Sequence, residues 1–366
     1  MRRAWVEVDL GAVRRNAAAL RRAAGVPLVA MVKADGYGVG AVAVARALVG
    51  APDTIWALGV ATLVEARALR EAGIDARILC CTPLVPEELH DAKSLGIRPS
   101  LHRAQDIRAW NAMKGGAWHL AIDTGMSRAG IRWDTASSLR ECLAEHTPEG
   151  VFTHFHSAEA PDGTRVSQDA RFDEALRALR SVLPPTVLEH RDNSAGISSR
   201  LAAGKSSPGS LARPGIGLYG AFVADRFPLE QVVHLRARVI DVRTVLAGET
   251  VSYGGTYTAT REQRIATLAV GHGDGYRRAF SNCGRVLLNG THVPVAGVVS
   301  MDMTMIDVTD APCEVGDVAT LIGREGDECL TTDAVAASGS LSPYELLVGL
   351  ALRAPRVFLE DAHGDR

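Results

Sequence analysis

A lysine at the end of an apolar run is the first residue whose placement suggests chemistry. Val29-Ala30-Met31-Val32 leads directly into Lys33, and the chain holds only three other lysines, Lys93, Lys114 and Lys205. An amine at the mouth of a strand is partly desolvated, which lowers its pKa and frees it to attack a carbonyl. A lysine that only snorkels its ammonium out from a rim satisfies the same pattern. Arg128, in Asp123-Thr124-Gly125-Met126-Ser127-Arg128, can clamp a carboxylate in bidentate fashion or close a structural ion pair. His154 and His156 share one face of a strand by their i, i+2 spacing. No third-histidine or carboxylate-rich ligand pattern accompanies them, so no metal is expected. Asn193-Ser194-Ala195-Gly196 and Arg213-Pro214-Gly215 supply the exposed N–H groups, hydroxyl and small residues that can cradle a phosphate. Gly204-Lys205-Ser206 fails as a P-loop because Ser199 stands where the first glycine belongs, and Gly36, Gly38 and Gly40 lack the dinucleotide spacing.

These residues need elements to position them. Strand-like runs at 27–32, 55–61, 76–80, 96–100, 118–122, 150–155, 186–190 and 216–219 alternate with helix-like stretches such as 10–24, 41–48, 63–72, 136–144 and 168–182. Eight β-α units in ~220 residues fit a (β/α)8 TIM barrel, with a doubly wound open sheet as the competitor. In a barrel, Lys33, Arg128 and Ser194 fall just after strands, where such folds place their active sites, while Gly215 stands just before the eighth run; the loops around strands 7 and 8 are the usual phosphate site. Beyond Pro228 the texture changes to strands separated by short turns, at 236–245, 265–270, 285–288, 292–299, 304–308 and 318–322, with a last helix-like stretch at 343–352. Asn289-Gly290 between apolar flanks is a hairpin turn signal. The expected organisation is a barrel over 9–227 and a mostly antiparallel β domain over 228–366, joined spatially by the N-terminal strand 1–8.

Composition narrows the function classes. The net charge is −2 with no basic cluster, so nucleic acid is not an expected partner. No apolar run approaches the ~20 residues of a membrane helix, and the N-terminus has no apolar signal core. The six cysteines lack zinc or redox spacing, which suits reduced thiols and a cytoplasmic location.

Taken in order, VEVDLGAVRRN, MVKADGYGVG, IDTGMSRAGI, THFHSAE, DNSAG, RPGIGLYG, VSYGGTYTA, VGHGDGYRR, SMDMTMIDV and LIGREGDE resemble the alanine racemases, fold-type III pyridoxal phosphate enzymes, over nearly the whole chain. The resemblance implies that Lys33 is the Schiff-base lysine and the base on one face of the substrate α-carbon. Tyr253 is then the opposing base, supplied across a homodimer interface with Met301, whose backbone meets the substrate carboxylate. It further implies that Arg213 faces the pyridine nitrogen and leaves it unprotonated, with His190 as its support. His154 lies by the ring and Arg128 beside the phenolic oxygen, while Tyr37, Ser194, Gly215 and Ile216 hold the phosphate. The implied reaction is interconversion of L- and D-alanine for cell-wall synthesis. A carboxylate in place of Arg213 marks related decarboxylases, and a barrel without the Tyr253 segment marks non-catalytic cofactor carriers.

Three positions depart from the family. His272 stands where a tyrosine lines the entrance, beside Asp302, and can alter substrate choice toward another small amino acid such as serine. Ala121 replaces a lysine that orients the arginine at 128, and Leu352 replaces a phosphate-binding tyrosine.

Overall fold

The computed structural model describes residues 2–50, 54–160, 162–221, 228–350 and 353–360. Leu28–Met31, Ile55–Val60, Ile78–Pro83, Arg98–Leu101, His119–Asp123, Gly150–Phe152 and Leu188–His190 pair side by side in that order, every neighbour parallel. Their apolar runs are continuous rather than alternating because both faces are covered: all four residues of Leu28–Met31 are buried. Parallel bridges Leu28–Ala212 and His190–Leu211 close the sheet on itself. Val29 N–H donates to Ala212 O (2.8 Å) and Met31 N–H to Pro214 O (3.1 Å), completing the ring. The fold is therefore a closed (β/α)8 barrel, and the open sheet is excluded.

The eighth stave is not where the apolar run at 216–219 suggests. Ile216–Tyr219 is a 3-10 helix, closed by Leu218 N–H to Gly215 O and stopped by Gly220 in the left-handed region (φ 70°), while Leu211 and Ala212 make the barrel contacts. A buried apolar run of four has no period that separates the two outcomes. Other expectations also shift. The stretch at 136–144 is a 3-10 turn, Trp133–Leu139, followed by helix Arg140–Glu145. The expected strand at 292–299 is only Thr291–Pro294, since Pro294 cannot donate to a ladder. The last helix is Pro343–Val348, and the end of the expected stretch, with Leu352, lies outside the described residues.

The second sheet is mostly antiparallel. Its spine is the 13-residue strand Val233–Val245, which pairs with Ala4–Asp9, Gln263–Leu268 and Val318–Glu325. A register shift between Val239 and Asp241 separates its pairing with Leu268 from that with Thr267. The hairpin Arg285–Leu288/Thr291–Pro294 turns on Asn289 and Gly290, with φ of 49° and 76°. The N-terminal strand Ala4–Asp9 sits between Val233–Val245 and the parallel last strand Arg356–Leu359, so both chain ends enter this sheet.

Helix Leu10–Ala24 leaves that sheet and runs onto the barrel. Its buried Leu10, Val13, Ala17, Leu20 and Ala24 recur at helical spacing. Asp9 caps it, the buried carboxylate accepting from Ala12 N–H at 2.8 Å, and Gly25 (φ 74°) ends it. Asp9→Ala should cost about 0.5–2 kcal/mol, the usual worth of such a cap. An unchanged urea midpoint would show that the cap contributes nothing.

Candidate active site

The C-terminal ends of the barrel strands surround a cavity of about 660 Å³ lined by Lys33, Tyr37, Arg128, His154, Ser194, Arg213, Gly215 and Ile216, among others. Five loops thus bring together residues separated by up to 183 positions in sequence.

Lys33 follows the first strand and begins an unusual turn. Ala34, Asp35, Gly36 and Tyr37 are all left-handed, with φ of 52°, 52°, 64° and 57°. Such a conformation costs about 1–2 kcal/mol at each non-glycine residue, so it needs outside support. Glu65 accepts from Ala34 N–H (2.7 Å) and Ala61 N–H (2.7 Å), Asp35 accepts from Ala41 N–H (2.8 Å), and Arg356 donates to Gly38 O (2.6 Å). The turn lets Lys33 and Tyr37 line the same cavity. Burial drives the Tyr37 phenol pKa upward, so it stays a neutral donor. Its ring packs 4.8 Å from that of Tyr219, whose hydroxyl donates to Met31 O (2.9 Å).

On the phosphate-like side, Ser194 Oγ accepts from Gly215 N–H (3.0 Å) and Gly217 N–H (3.2 Å). Asn193 caps helix Ser194–Ala202 through Gly196 N–H (2.8 Å), and its N-terminal residues line the cavity. A Cβ at Gly215 would lie 2.1 Å from the Tyr37 hydroxyl, so only glycine permits this approach. Beneath the loop, buried Asp192 pairs with Arg200 (2.7 Å), and Arg200 also pairs with Asp169 (2.8 Å).

Arg213 is buried, and no carboxylate pairs with it among the described residues. It donates to His190 Nδ1 (2.7 Å), His190 O (2.8 Å), Thr153 O and Arg191 O (3.3 Å), and lies over the Phe152 ring. Burial lowers its pKa to about 10, leaving it charged at neutral pH. His154 falls to about 3, through burial and then the charges of Arg213, Arg128 and Lys33. His156 meets Ser157 (2.7 Å) outside this pair. Behind Arg128 a smaller cavity of about 190 Å³ opens against Ala121 and Ile122, in the space a longer side chain at 121 would take.

Five expected residues stay out of the cavity. Tyr253 is 71% exposed, at the start of the short turn Tyr253–Gly255, and Met301 is 58% exposed. His272 N–H donates to Ser300 O (2.9 Å) and Gly273 N–H to Met301 O (2.8 Å), while Arg353 ties Asp274 (2.8 Å) to Asp302 (2.7 Å). His272, Met301 and Asp302 therefore form one braced, outward-facing group on the β sheet. His190 is not in the cavity wall but directly under Arg213. Sequence reasoning missed Cys81, Phe152 and Tyr344, which also line the cavity. Tyr344 had one usable signal, its place inside the Ser342–Glu345 capping box that starts a helix.

Residues 8–222 match the alanine racemase N-terminal domain and residues 232–358 the alanine racemase C-terminal domain. The alanine racemase of Symbiobacterium thermophilum is 39% identical, covering 98% of this chain and 97% of its own. Among solved structures, alanine racemase from the D-cycloserine-producing Streptomyces lavendulae superposes with a TM-score of 0.89 at 30% identity, over 98% of this chain and 97% of its own. The Bartonella henselae alanine racemase, with covalently bound pyridoxal phosphate, reaches 0.87 at 28% identity, over 98% of this chain and all of its own.

The buried histidines set an acid limit on stability. His119, His154 and His190 all have folded pKa values lowered first of all by burial. The unfolded chain takes up their protons as pH falls through about 6.5 while the folded chain does not, so stability is full above that pH and declines below it. Each histidine contributes up to about 1.4 kcal/mol per pH unit. Urea unfolding of the cofactor-free protein should weaken from pH 7 to pH 5, and His154→Gln should remove about one proton from that slope. An identical slope in the variant would mean that His154 is not held neutral.

Proposed function

The chain belongs to the alanine racemase family of pyridoxal-phosphate-dependent amino-acid racemases, and we propose that Lys33 and Tyr253 are the two bases by which it interconverts L-alanine and D-alanine. The observation that carries this reading is the convergence of one lysine amine, a Ser194/Gly215/helix-terminus cradle and a buried, charged Arg213 on one cavity. These residues fit pyridoxal phosphate. The glycine at 215 lets the Tyr37 hydroxyl close on the same loop, where a Cβ would clash with it, and the N–H groups of 215 and 217 converge on the Ser194 hydroxyl. Lys33 would hold the cofactor covalently, and Tyr37, Ser194, Gly215 and Ile216 its phosphate. His154, Arg213 and, through Arg213, His190 would hold its ring.

Bound there, pyridoxal phosphate supplies the electron sink that acidifies the amino acid's α-C–H. Lys33 takes or returns the proton at Nζ on one face of the α-carbon. The Tyr253 hydroxyl does so on the other. Arg213 offers only N–H donors and would face the ring nitrogen of the bound cofactor as a donor, favouring its unprotonated form. This would favour return of the proton to the α-carbon. Arg128 and the backbone of Met301 orient the substrate carboxylate, and His272 with Asp302 shapes the entrance.

Tyr253 and Met301 are exposed and absent from the cavity of their own chain, which supports a homodimer in which each protomer lends them to the other's site. Division into a barrel over 9–227 and a β domain over 228–366, joined by strand 1–8, has the support of the described residues: those of 10–221 build the barrel, and Ala4–Asp9 pairs with Val233–Val245 and Arg356–Leu359. No helix among the described residues is long and apolar enough to cross a membrane, in keeping with a cytoplasmic enzyme that supplies D-alanine to the cell wall.

Incubation with pyridoxal phosphate and L-alanine in heavy water should exchange the α-proton and generate D-alanine together. Exchange without inversion would leave one base only, and greater turnover of serine would reassign the substrate. Lys33→Ala should lose the cofactor linkage that borohydride fixes, and a retained linkage would remove Lys33 from its role.

Tyr253→Phe should lower L-to-D turnover by about 10²–10⁴-fold with little change in cofactor binding. Mixing the two inactive variants should restore about a quarter of the wild-type rate, since half the dimers then carry one complete site. No restoration after verified subunit exchange would place Tyr253 in its own chain's site or outside catalysis.

A further inference from the structure

A chain of polar side chains crosses the barrel interior from its floor to the cavity. Arg213 NH1 meets His190 Nδ1 at 2.7 Å, His190 Nε2 meets His119 Nδ1 at 2.7 Å, and His119 Nε2 meets Glu149 Oε2 at 3.3 Å. Arg98 grips the same carboxylate through Nε (2.6 Å) and NH2 (3.2 Å). His119 begins the fifth strand and Glu149 immediately precedes the sixth, so both stand at the end of the barrel opposite the cavity.

The donor and acceptor roles follow from the two ends. A guanidinium can only donate, so His190 Nδ1 must be bare and its proton must sit on Nε2. That proton points at His119 Nδ1, which must accept, leaving the His119 proton on Nε2. Glu149, an acceptor, receives it. Every bond in the chain has one polarity, and bonds so aligned polarise one another favourably. Both imidazoles must be neutral for this order, and burial lowers both of their pKa values. Burial works against the Glu149 anion, but His119 and Arg98 outweigh it and hold its pKa at about 2. The space is shaped for the chain: a Cβ at Gly150 would lie 2.5 Å from His119 Nδ1. Phe152 stacks on His190, with centroids 5.0 Å apart and planes at 19°.

We propose that His119 and Glu149 are positioning residues for Arg213, fixing the tautomer of His190 so that it accepts from the guanidinium and leaves the remaining donor of Arg213, Nε–H, for the cofactor ring. The floor of this barrel thereby serves the reaction as well as stability. The tautomer order stands on geometry alone, while its effect on the reaction rests on the proposed racemase function.

Long-range ¹⁵N–¹H spectra of the cofactor-free protein report imidazole tautomers directly. Both rings should be neutral with the proton on Nε2, and an Nδ1–H form at either one overturns the proposal. Two variants probe the chain, His119→Phe in the core and Glu149→Leu at the half-exposed floor. Each should leave Arg213 as the only group that holds the His190 tautomer and so loosen it. In the loaded enzyme, each should raise abortive transamination relative to racemisation by about three- to tenfold, the worth of one hydrogen bond. Glu149→Gln keeps an acceptor oxygen and should retain the wild-type tautomers and partition. An unchanged His190 tautomer and partition in Glu149→Leu would overturn the proposal. Correct tautomers in a protein that racemises no amino acid would instead overturn the functional reading and leave the chain of bonds standing.

Discussion

A guanidinium sealed inside a barrel with no carboxylate partner among the described residues is the constraint around which the rest of this structure is arranged. Removing a full charge from water costs several kcal/mol unless its hydrogen-bonding positions are filled. Here four of the five N–H positions are filled, by three backbone carbonyls and one imidazole, from Thr153, His190 and Arg191. Those groups come from the ends of the sixth and seventh strands, and Arg213 itself follows the eighth stave. Arg213 N–H also donates to Asp192 O (2.7 Å), which fixes the loop from which its side chain leaves. The register of these staves and the burial of the charge are therefore one requirement.

The strain at the barrel mouth is met in a similar way. Three non-glycine residues in left-handed backbone are an unfavourable way to leave a strand, yet they let Lys33 and Tyr37 line one cavity. The supporting groups come from far along the chain. Glu65 caps the second barrel helix while holding the turn, and Arg356 reaches it from the last strand. A Cβ at Gly38 would fall 2.4 Å from Leu347 O, so the final helix also packs directly on the turn. The β sheet thus stabilises the geometry of the cavity in its own chain, while the group it presents outward, Tyr253, Met301 and His272, is proposed to serve another.

The departures from the family have a readable physical meaning. Ala121 leaves open space behind Arg128 rather than a collapsed wall, because the strand His119–Asp123 is held on both sides by parallel partners and cannot move inward. Arg128 is therefore less confined from behind than a lysine at 121 would make it. His272 is fixed by its backbone through Ser300, so a change of side chain there leaves the frame of that loop as it is.

Much of this was legible in the sequence because parallel barrel strands are continuous apolar runs and amphipathic helices keep their period. Helix Leu10–Ala24 and the Asn289-Gly290 hairpin emerge where the pattern places them. Lys33, Arg128 and Ser194 could be recognised because they follow such runs, where side chains of a barrel meet its cavity. The eighth stave could not be found, since two bridging residues leave no periodic trace, and neither could Cys81 or Phe152, which read as ordinary strand residues. His119 and Glu149 carried no local signal either, because their importance lies in a hydrogen-bond order running across the strands. Local pattern determined which elements form and which residues stand at their ends. Only closure of the barrel decided which of those residues touch, because distances across a ring depend on every stave at once.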